Sequence, residues 1–246
     1  MKGFDLISPG WGRPQLEKET QRVYEVCDGC RRCFNLCPSF NTLFDRIDLH
    51  ESDVGKLAST DLEQVARECY YCKLCYNHCP YTPPHQYEID FPRLMIAWKK
   101  QVVAEKGASW RDRLLIKTDL IGRLGSLMAP LINWVMGITW LRWLMEGVVG
   151  VHHDRQVLRV QAETFSRWWA KRGPSNKPPG SNGKVALFAG CLVNYQATDV
   201  GKATVQVLEK NGIEVVMPEQ RCCGMPAFDL GDTDAMVTAA KANMRT

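Results

Sequence analysis

Cys27-Asp28-Gly29-Cys30-Arg31-Arg32-Cys33-Phe34-Asn35-Leu36-Cys37-Pro38 and Cys69-Tyr70-Tyr71-Cys72-Lys73-Leu74-Cys75-Tyr76-Asn77-His78-Cys79-Pro80 are two copies of one pattern, C-x-x-C-x-x-C-x-x-x-C-P. Three thiols with two residues between each pair can wrap one face of an inorganic core within a single tight loop. The fourth lies further along the chain, free to reach elsewhere. The proline after each run is expected to turn the chain away, since it needs no N–H partner.

Structural zinc is the plainest alternative for clustered cysteines. Zinc sites pair two C-x-x-C knuckles and have no use for a third regularly spaced cysteine in each run. Disulfide frameworks belong to small secreted chains, and Met1 to Gly10 has no apolar signal-peptide core. Reduced thiols without an export signal point to the cytoplasmic side. The pattern is similar to that of bacterial ferredoxins, which hold a pair of [4Fe–4S] clusters and send the fourth cysteine of each run to the other cluster. That rule assigns Cys27, Cys30, Cys33 and Cys79 to one cluster, and Cys69, Cys72, Cys75 and Cys37 to the other. A chain so equipped is expected to move electrons.

The chain offers more than this module. Its 246 residues can hold one large or two modest domains. A net charge of +4 is too small to argue for a nucleic-acid partner, and a charged fraction of 24% is ordinary for a globular protein. Of eleven cysteines, eight lie in the two runs; Cys191, Cys222 and Cys223 are left over.

Residues 1–22, with Pro9, Gly10, Gly12 and Pro14, read as an extended arm. A helix starting at Thr20 or Gln21 leads into the first run, and residues 23–92 form the two-cluster domain. Asp61 is placed to cap a helix through Leu62, Val65 and Ala66 that delivers Cys69. The insert from Ser39 to Thr60 is longer than a minimal ferredoxin needs, so a helical module is expected. Asp90 caps a helix from about Pro92 to Lys106, closed by Gly107.

Residues 93–172 read as a helical middle segment. Leu124 to Leu141 carries no charge and is bracketed by Arg123 and Arg142. Leu120, Leu124, Leu127, Met128, Leu131, Val135 and Ile138 share one helical face, while Arg123, Ser126, Pro130, Asn133 and Gly137 share another. Trp134, Trp140 and Trp143 suit a lipid headgroup boundary. Three readings stay open: a helix buried against the core or a partner, an interfacial helix, and a span. Arg155 to Arg172 continues as a basic amphipathic stretch ending in Trp168 and Trp169.

Residues 173–183, rich in Gly, Pro, Ser and Asn, are a linker by composition. Beyond it, residues 184–246 have an α/β texture. Val185 to Ala189 is a strand, and a helix starting at Thr198 or Asp199 stops at Asn211-Gly212. Ile213 to Met217 is a second strand, and Asp232 or Thr233 caps a last helix. Two strands and two helices are too few to close a doubly wound sheet, so the domain is expected to be truncated. Cys191 and the Cys222-Cys223 pair sit past the carboxyl ends of the two strands, where α/β sheets bind ligands. Three converging thiols suit a soft metal or a cluster edge.

Val185-Ala186-Leu187-Phe188-Ala189-Gly190-Cys191-Leu192-Val193-Asn194-Tyr195 and Arg221-Cys222-Cys223-Gly224-Met225-Pro226 resemble the opening of a cysteine-rich CCG domain. Such domains occur in heterodisulfide reductase subunits, in the iron–sulfur subunit of glycolate oxidase and in the C subunit of anaerobic glycerol-3-phosphate dehydrogenase. The last of these also carries two ferredoxin runs first. Its middle is similar to Thr118-Asp119-Leu120-Ile121-Gly122 and to the stretch ending Phe165-Ser166-Arg167-Trp168-Trp169. The resemblance covers most of the chain from Cys27 onward. It implies an α+β multidomain protein: a helical two-[4Fe–4S] ferredoxin module, a helical middle segment and the start of an α/β CCG domain. In the family a complete CCG motif has a further C-x-x-C downstream, absent here. Cys191, Cys222 and Cys223 would then be three ligands of a larger cluster site.

The function these features imply is an iron–sulfur electron-transfer subunit of a respiratory or anaerobic oxidoreductase. A flavin-bearing dehydrogenase or reductase subunit would donate electrons, and a quinone or the CCG site would accept them. No G-x-G-x-x-G opens a helix, so substrate oxidation is expected on another chain. The expected location is cytoplasmic, peripheral on the inner face of the cell membrane. The alternative is a catalytic heterodisulfide-reductase-like subunit acting on a disulfide at a completed CCG site. Arg31, Arg32 and Lys73 inside the loops, and His78 beside Cys79, are candidates for tuning the clusters. His152 and His153 read as structural or exposed.

Overall fold

The computed structural model describes residues 11–173 and 182–245. The first ten residues of the arm and most of the linker lie outside them. The chain divides into two compact units, Met1–Ala108 with Met225–Met236, and Ser109–Gly224 with Val237–Thr246.

Helices α1 (Arg13–Cys30), α2 (Pro38–Asp48), α3 (Ser59–Glu68), α4 (Leu74–His78) and α5 (Phe91–Lys106), with a 3-10 turn at Val54–Lys56, build most of the first unit. The first helix is longer than the sequence suggests. Pro14 sits in its first turn and the Gln15 side chain accepts from the Gly12 N–H at 2.7 Å, so the arm turns helical at Arg13. What holds those extra turns is burial: Leu16 and Thr20 are shut inside the core. Pro38 also departs from expectation. It opens α2, where a fixed φ and a missing N–H suit a first helical position. Asp61 does cap α3, but from its third position, reaching back to the Ala58 N–H at 3.1 Å. Asp90 caps α5 through the Arg93 N–H at 3.0 Å, and Gly107 ends it at φ 74°.

The core of this unit is one apolar cluster. Phe40 stacks on Phe91 with ring centroids 4.4 Å apart, and Leu43, Ile47, Val65, Met95 and Trp98 fill in around them. Cys27, Cys33, Cys37, Cys75 and Cys79 lie against this cluster, so the packing that makes the fold also walls the cysteines.

The second unit begins with α6 (Trp110–Leu115), α7 (Thr118–Leu127), α8 (Ala129–Val135) and α9 (Thr139–Val149). The uncharged stretch is therefore broken twice, around Met128-Ala129-Pro130 and at Gly137-Ile138. No described helix is long and apolar enough to cross a membrane, which removes the spanning reading for these residues. The faces are also turned opposite to a buried helix. Leu120, Leu124, Leu127, Met128 and Leu131 are exposed, whereas Gly125, Ser126 and Ala129 are buried. Asn133 explains part of this, clasping Val160 with two hydrogen bonds of 2.8 and 3.0 Å.

Helix α10 (Phe165–Arg172), strand β1 (Lys184–Ala186), helices α11 (Gly190–Tyr195) and α12 (Thr198–Lys210), and strand β2 (Glu214–Val216) complete most of the second unit. The strands pair in parallel with Val185 opposite Val215, the intervening helices providing the crossover that parallel pairing needs. Phe165, Ala189, Val205 and Val215 form their core. Helices α13 (Met225–Asp229) and α14 (Thr233–Asn243) follow, the latter with the Asp232 carboxylate accepting from the Ala235 N–H at 3.0 Å.

Candidate metal centres

Each cysteine run is bent around left-handed backbone. Arg31 (φ 48°) ends α1 and donates its N–H to the Cys27 carbonyl at 2.7 Å, leaving Cys27 and Cys30 on the last turn. In the second run Tyr71 (φ 51°) and Lys73 (φ 60°) play that part, and Cys69 and Cys79 cap α3 and α4. Such alternation aims successive N–H groups to one side, the backbone concavity found at iron–sulfur sites. Non-glycine residues hold this conformation only where the surroundings enforce it.

Cys27, Cys30, Cys33 and Cys79 line one cavity, together with Val26, Arg32, Phe40, Phe44, Pro80, Tyr81 and Ile89. The lining brings four thiols, apolar walls and a single cation, with no carboxylate or imidazole. Burial first, then neighbouring sulfurs, pushes the Cys27 thiol well up and that of Cys33 to about 11. The sulfurs nearest in effect to Cys27 include Cys33, Cys79 and Cys30.

In the second set, burial pushes the Cys75 thiol up to about 12, with Cys69, Cys33, Cys37 and Cys72 adding to it. Cys69 is raised too, chiefly by burial, with Cys37 and Asp229 pushing the same way. The Tyr71 N–H and Lys99 pull in the opposite direction. A soft metal core binds cysteine as thiolate, so loading either set displaces the thiol protons, and the core's positive charge offsets the burial that raises these thiols. The donor set fits iron–sulfur clusters.

The neighbours expected to tune the clusters separate. Arg31 is committed to Asp28 and Asp48, which hold its guanidinium strongly protonated. Arg32 is the cation in the cavity lining and donates to His78 Nε2 at 3.1 Å. Lys73 lies over the Tyr71 ring at 5.1 Å. Sequence reasoning missed Lys99, which is 8% exposed and donates to the Cys69 carbonyl at 2.6 Å.

Cys191, Cys222 and Cys223 lie near enough to influence one another, and the structure supplies clamps for their loops. Gln220 ties the two loops, accepting from the Ala189 N–H at 2.6 Å and donating to the Leu187 carbonyl at 3.1 Å. The Asp119 carboxylate accepts from the Cys222 N–H at 2.9 Å. Asn243 accepts from the Arg221 N–H at 2.8 Å and donates to the Cys222 carbonyl at 3.1 Å. Burial raises the Cys191 thiol, with Cys222 and Cys223 adding to the shift. Asp119 lies in the Thr118-Asp119-Leu120-Ile121-Gly122 stretch, whose sequence offered no hint of that role. The reason for its glycine is plain: a Cβ on Gly122 would lie 2.3 Å from the Tyr195 ring.

His152 and His153 are taken up locally. His153 Nδ1 is 2.6 Å from the Glu146 carboxylate and its ring stacks on Trp143 at 3.7 Å.

Two family models match parts of the chain. Residues 20–105 match the family described as "Citrate utilization protein B Fer4-like domain", and residues 185–246 match "Cysteine-rich domain", the CCG family. The C subunit of anaerobic glycerol-3-phosphate dehydrogenase from Escherichia coli (strain K12) is 30% identical over 139 residues, covering 56% of this chain and 35% of that one. Lactate utilization protein A of Bacillus pumilus (strain SAFR-032) is 54% identical over 59 residues, 24% of this chain and 25% of that one. Lactate utilization protein A of Bacillus thuringiensis (strain Al Hakam) is 50% identical over 64 residues, 26% of this chain and 27% of that one. The chain thus spans about a third or less of the length of these relatives. No solved structure matches it.

Proposed function

We infer that this chain, which carries a Fer4-like domain and a cysteine-rich CCG domain, is the iron–sulfur electron-transfer subunit of an oxidoreductase. Its donor is a flavin-bearing dehydrogenase subunit, and its acceptor is a quinone or the CCG site. The observation that carries this reading is the company kept by Cys79, which lines one cavity with Cys27, Cys30 and Cys33 of the other run. Cys37 in turn is near enough to raise the Cys69 and Cys75 thiols of the second run, as well as Cys33 of its own. Interleaved loops of this kind serve a pair of closely set redox centres, whereas a structural zinc needs only one four-thiol site.

A [4Fe–4S] cluster held by Cys27, Cys30, Cys33 and Cys79, and one held by Cys69, Cys72, Cys75 and Cys37, would each supply reversible one-electron storage. The chain holds the ligands at the ends of α1, α3 and α4, shields the first set with Phe40, Phe44 and Ile89, and sets the local charge with Arg32 and Lys99. Cys191, Cys222 and Cys223, held by Gln220, Asp119 and Asn243, are three ligands toward a further cluster. The exposed apolar face of α7, α8 and α9 supports a peripheral position on the inner face of the cell membrane. Trp134, Trp140 and Trp143 are exposed in the same segment, with Arg123 and Arg142 close in sequence, a combination that suits an anionic lipid surface.

Anaerobic reconstitution of single-cysteine variants tests the crossed arrangement. Cys30→Ser and Cys79→Ser should lose the same electron paramagnetic resonance signal, and Cys37→Ser the other one. If Cys37→Ser and Cys30→Ser lose the same signal, each run serves its own cluster and the arrangement fails.

A further inference from the structure

Lysine is rarely shut inside a protein without partners, because an ammonium group loses its hydration there. Lys99 on α5 has two. Its Nζ donates to the backbone carbonyl of Cys69 at 2.6 Å and lies 3.4 Å from the Asp229 carboxylate, itself 35% exposed. Asp229 belongs to the segment Met225–Met236, which is part of the same compact unit as the two cysteine runs.

That segment is set tightly against α5. A Cβ on Gly231 (φ 85°) would come within 2.5 Å of the Lys99 carbonyl carbon, so the two backbones touch with no room for a side chain. Three residues earlier, buried Phe228 meets the edge of Tyr71, inside the Cys69–Cys72 loop, with centroids 5.0 Å apart. Phe228 thus braces the loop at Tyr71 and Lys99 anchors it at Cys69, with a carboxylate behind that cation, while Tyr70 and Cys72 face outward. Screening is weak in such a place, and a single charge counts for more than at the surface.

We propose that Lys99 is a positioning residue for the cluster bound by the second cysteine run: it pins the Cys69 loop through the carbonyl and raises that cluster's reduction potential, while Asp229 holds the lysine and opposes it. Adding an electron makes the cluster more negative, so a nearby ammonium favours the reduced state and a nearby carboxylate disfavours it. The sequence-obvious cations do less here: Arg31 is neutralised by two aspartates, and Lys73 is exposed over an aromatic ring. The inference rests on the reading that clusters occupy the two cysteine sets.

The test is a potentiometric titration of the reconstituted full chain, with both clusters followed by electron paramagnetic resonance. Lys99→Met should shift one of the two midpoints to more negative potential and leave the other in place. Asp229→Asn should shift that same midpoint the opposite way. Lys99→Arg should restore most of the loss. A merely structural role predicts that both variants loosen the loop, admit water and move the midpoint in the same direction, and that result overturns the proposal. So does an unmoved midpoint in both. Should Lys99→Met fail to assemble its cluster, Asp229→Asn decides alone: a positive shift supports the proposal, and none or a negative one overturns it. Unaltered protein without bleachable iron would remove the cluster reading itself; clusters with indifferent midpoints would remove only the role of Lys99.

Discussion

The indole Nε1 of Trp98 donates to the hydroxyl of Thr20 at 2.7 Å, and both residues are completely buried. Thr20 in turn donates to the Leu16 carbonyl at 2.6 Å, so a three-member chain links α1 to α5 inside the core.

Thr20→Val keeps the shape but leaves the Trp98 N–H with no acceptor. A buried donor without a partner costs about 1–3 kcal/mol, so the urea midpoint should fall clearly. Thr20→Ser keeps the hydroxyl and should lose much less. Equal losses for the two would mean that the methyl, not the hydrogen bond, matters.

Glu63 gives the first unit a pH dependence. Hydrogen bonds from Lys106 first, and then Arg13, hold its carboxyl below the ordinary value of 4.5, outweighing a desolvation effect in the other direction. The folded value lies below the unfolded one. The contribution is therefore present above the unfolded value and is lost as pH falls through the folded value. Glu63→Gln should cost about 1 kcal/mol at pH 7, and the gap to unaltered protein should close as both are acidified below 4.5. A gap that persists in acid would show that the side chain acts by packing.

Gly122 bears on the third cysteine set. Its missing side chain lets α7 approach Tyr195, where a Cβ would sit 2.3 Å from the ring. Gly122→Ala should destabilise by about 1–3 kcal/mol through overpacking. Combined with Tyr195→Ala, which makes room, the loss should be less than the sum of the two single losses. Strict additivity in thermal unfolding would contradict the contact.

How much of this was legible in the sequence depends on how local each cause is. The cysteine runs, the Asp90 cap and Gly107 stop of α5, and the strands around Val185 and Val215 announce themselves within a few residues. The start of α1 does not, because Leu16 and Thr20 become helical by being buried against residues far along the chain. Lys99 and Asp119 read as ordinary surface charges; their partners, Cys69 and Cys222, are tens of residues or more away. The stretch from Leu124 to Leu141 showed a clear apolar face, but periodicity could not say that this face is left exposed and its small residues turned inward.

That exposed face makes a direct prediction. The protein should sediment with vesicles containing anionic lipid, less so at high salt, and be released by carbonate. Leu127→Glu together with Leu131→Glu should abolish sedimentation without lowering the unfolding midpoint. If the paired substitution leaves vesicle binding intact, or if the protein ignores vesicles altogether, the face belongs to a protein partner.

The claim on which the rest depends is that Cys27, Cys30, Cys33, Cys37, Cys69, Cys72, Cys75 and Cys79 hold redox-active iron. Protein purified without oxygen should contain about eight irons, with matching acid-labile sulfide, in these two sites. Its broad visible absorbance should bleach on addition of dithionite and return on reoxidation. Stoichiometric zinc with no visible absorbance to bleach would contradict the account.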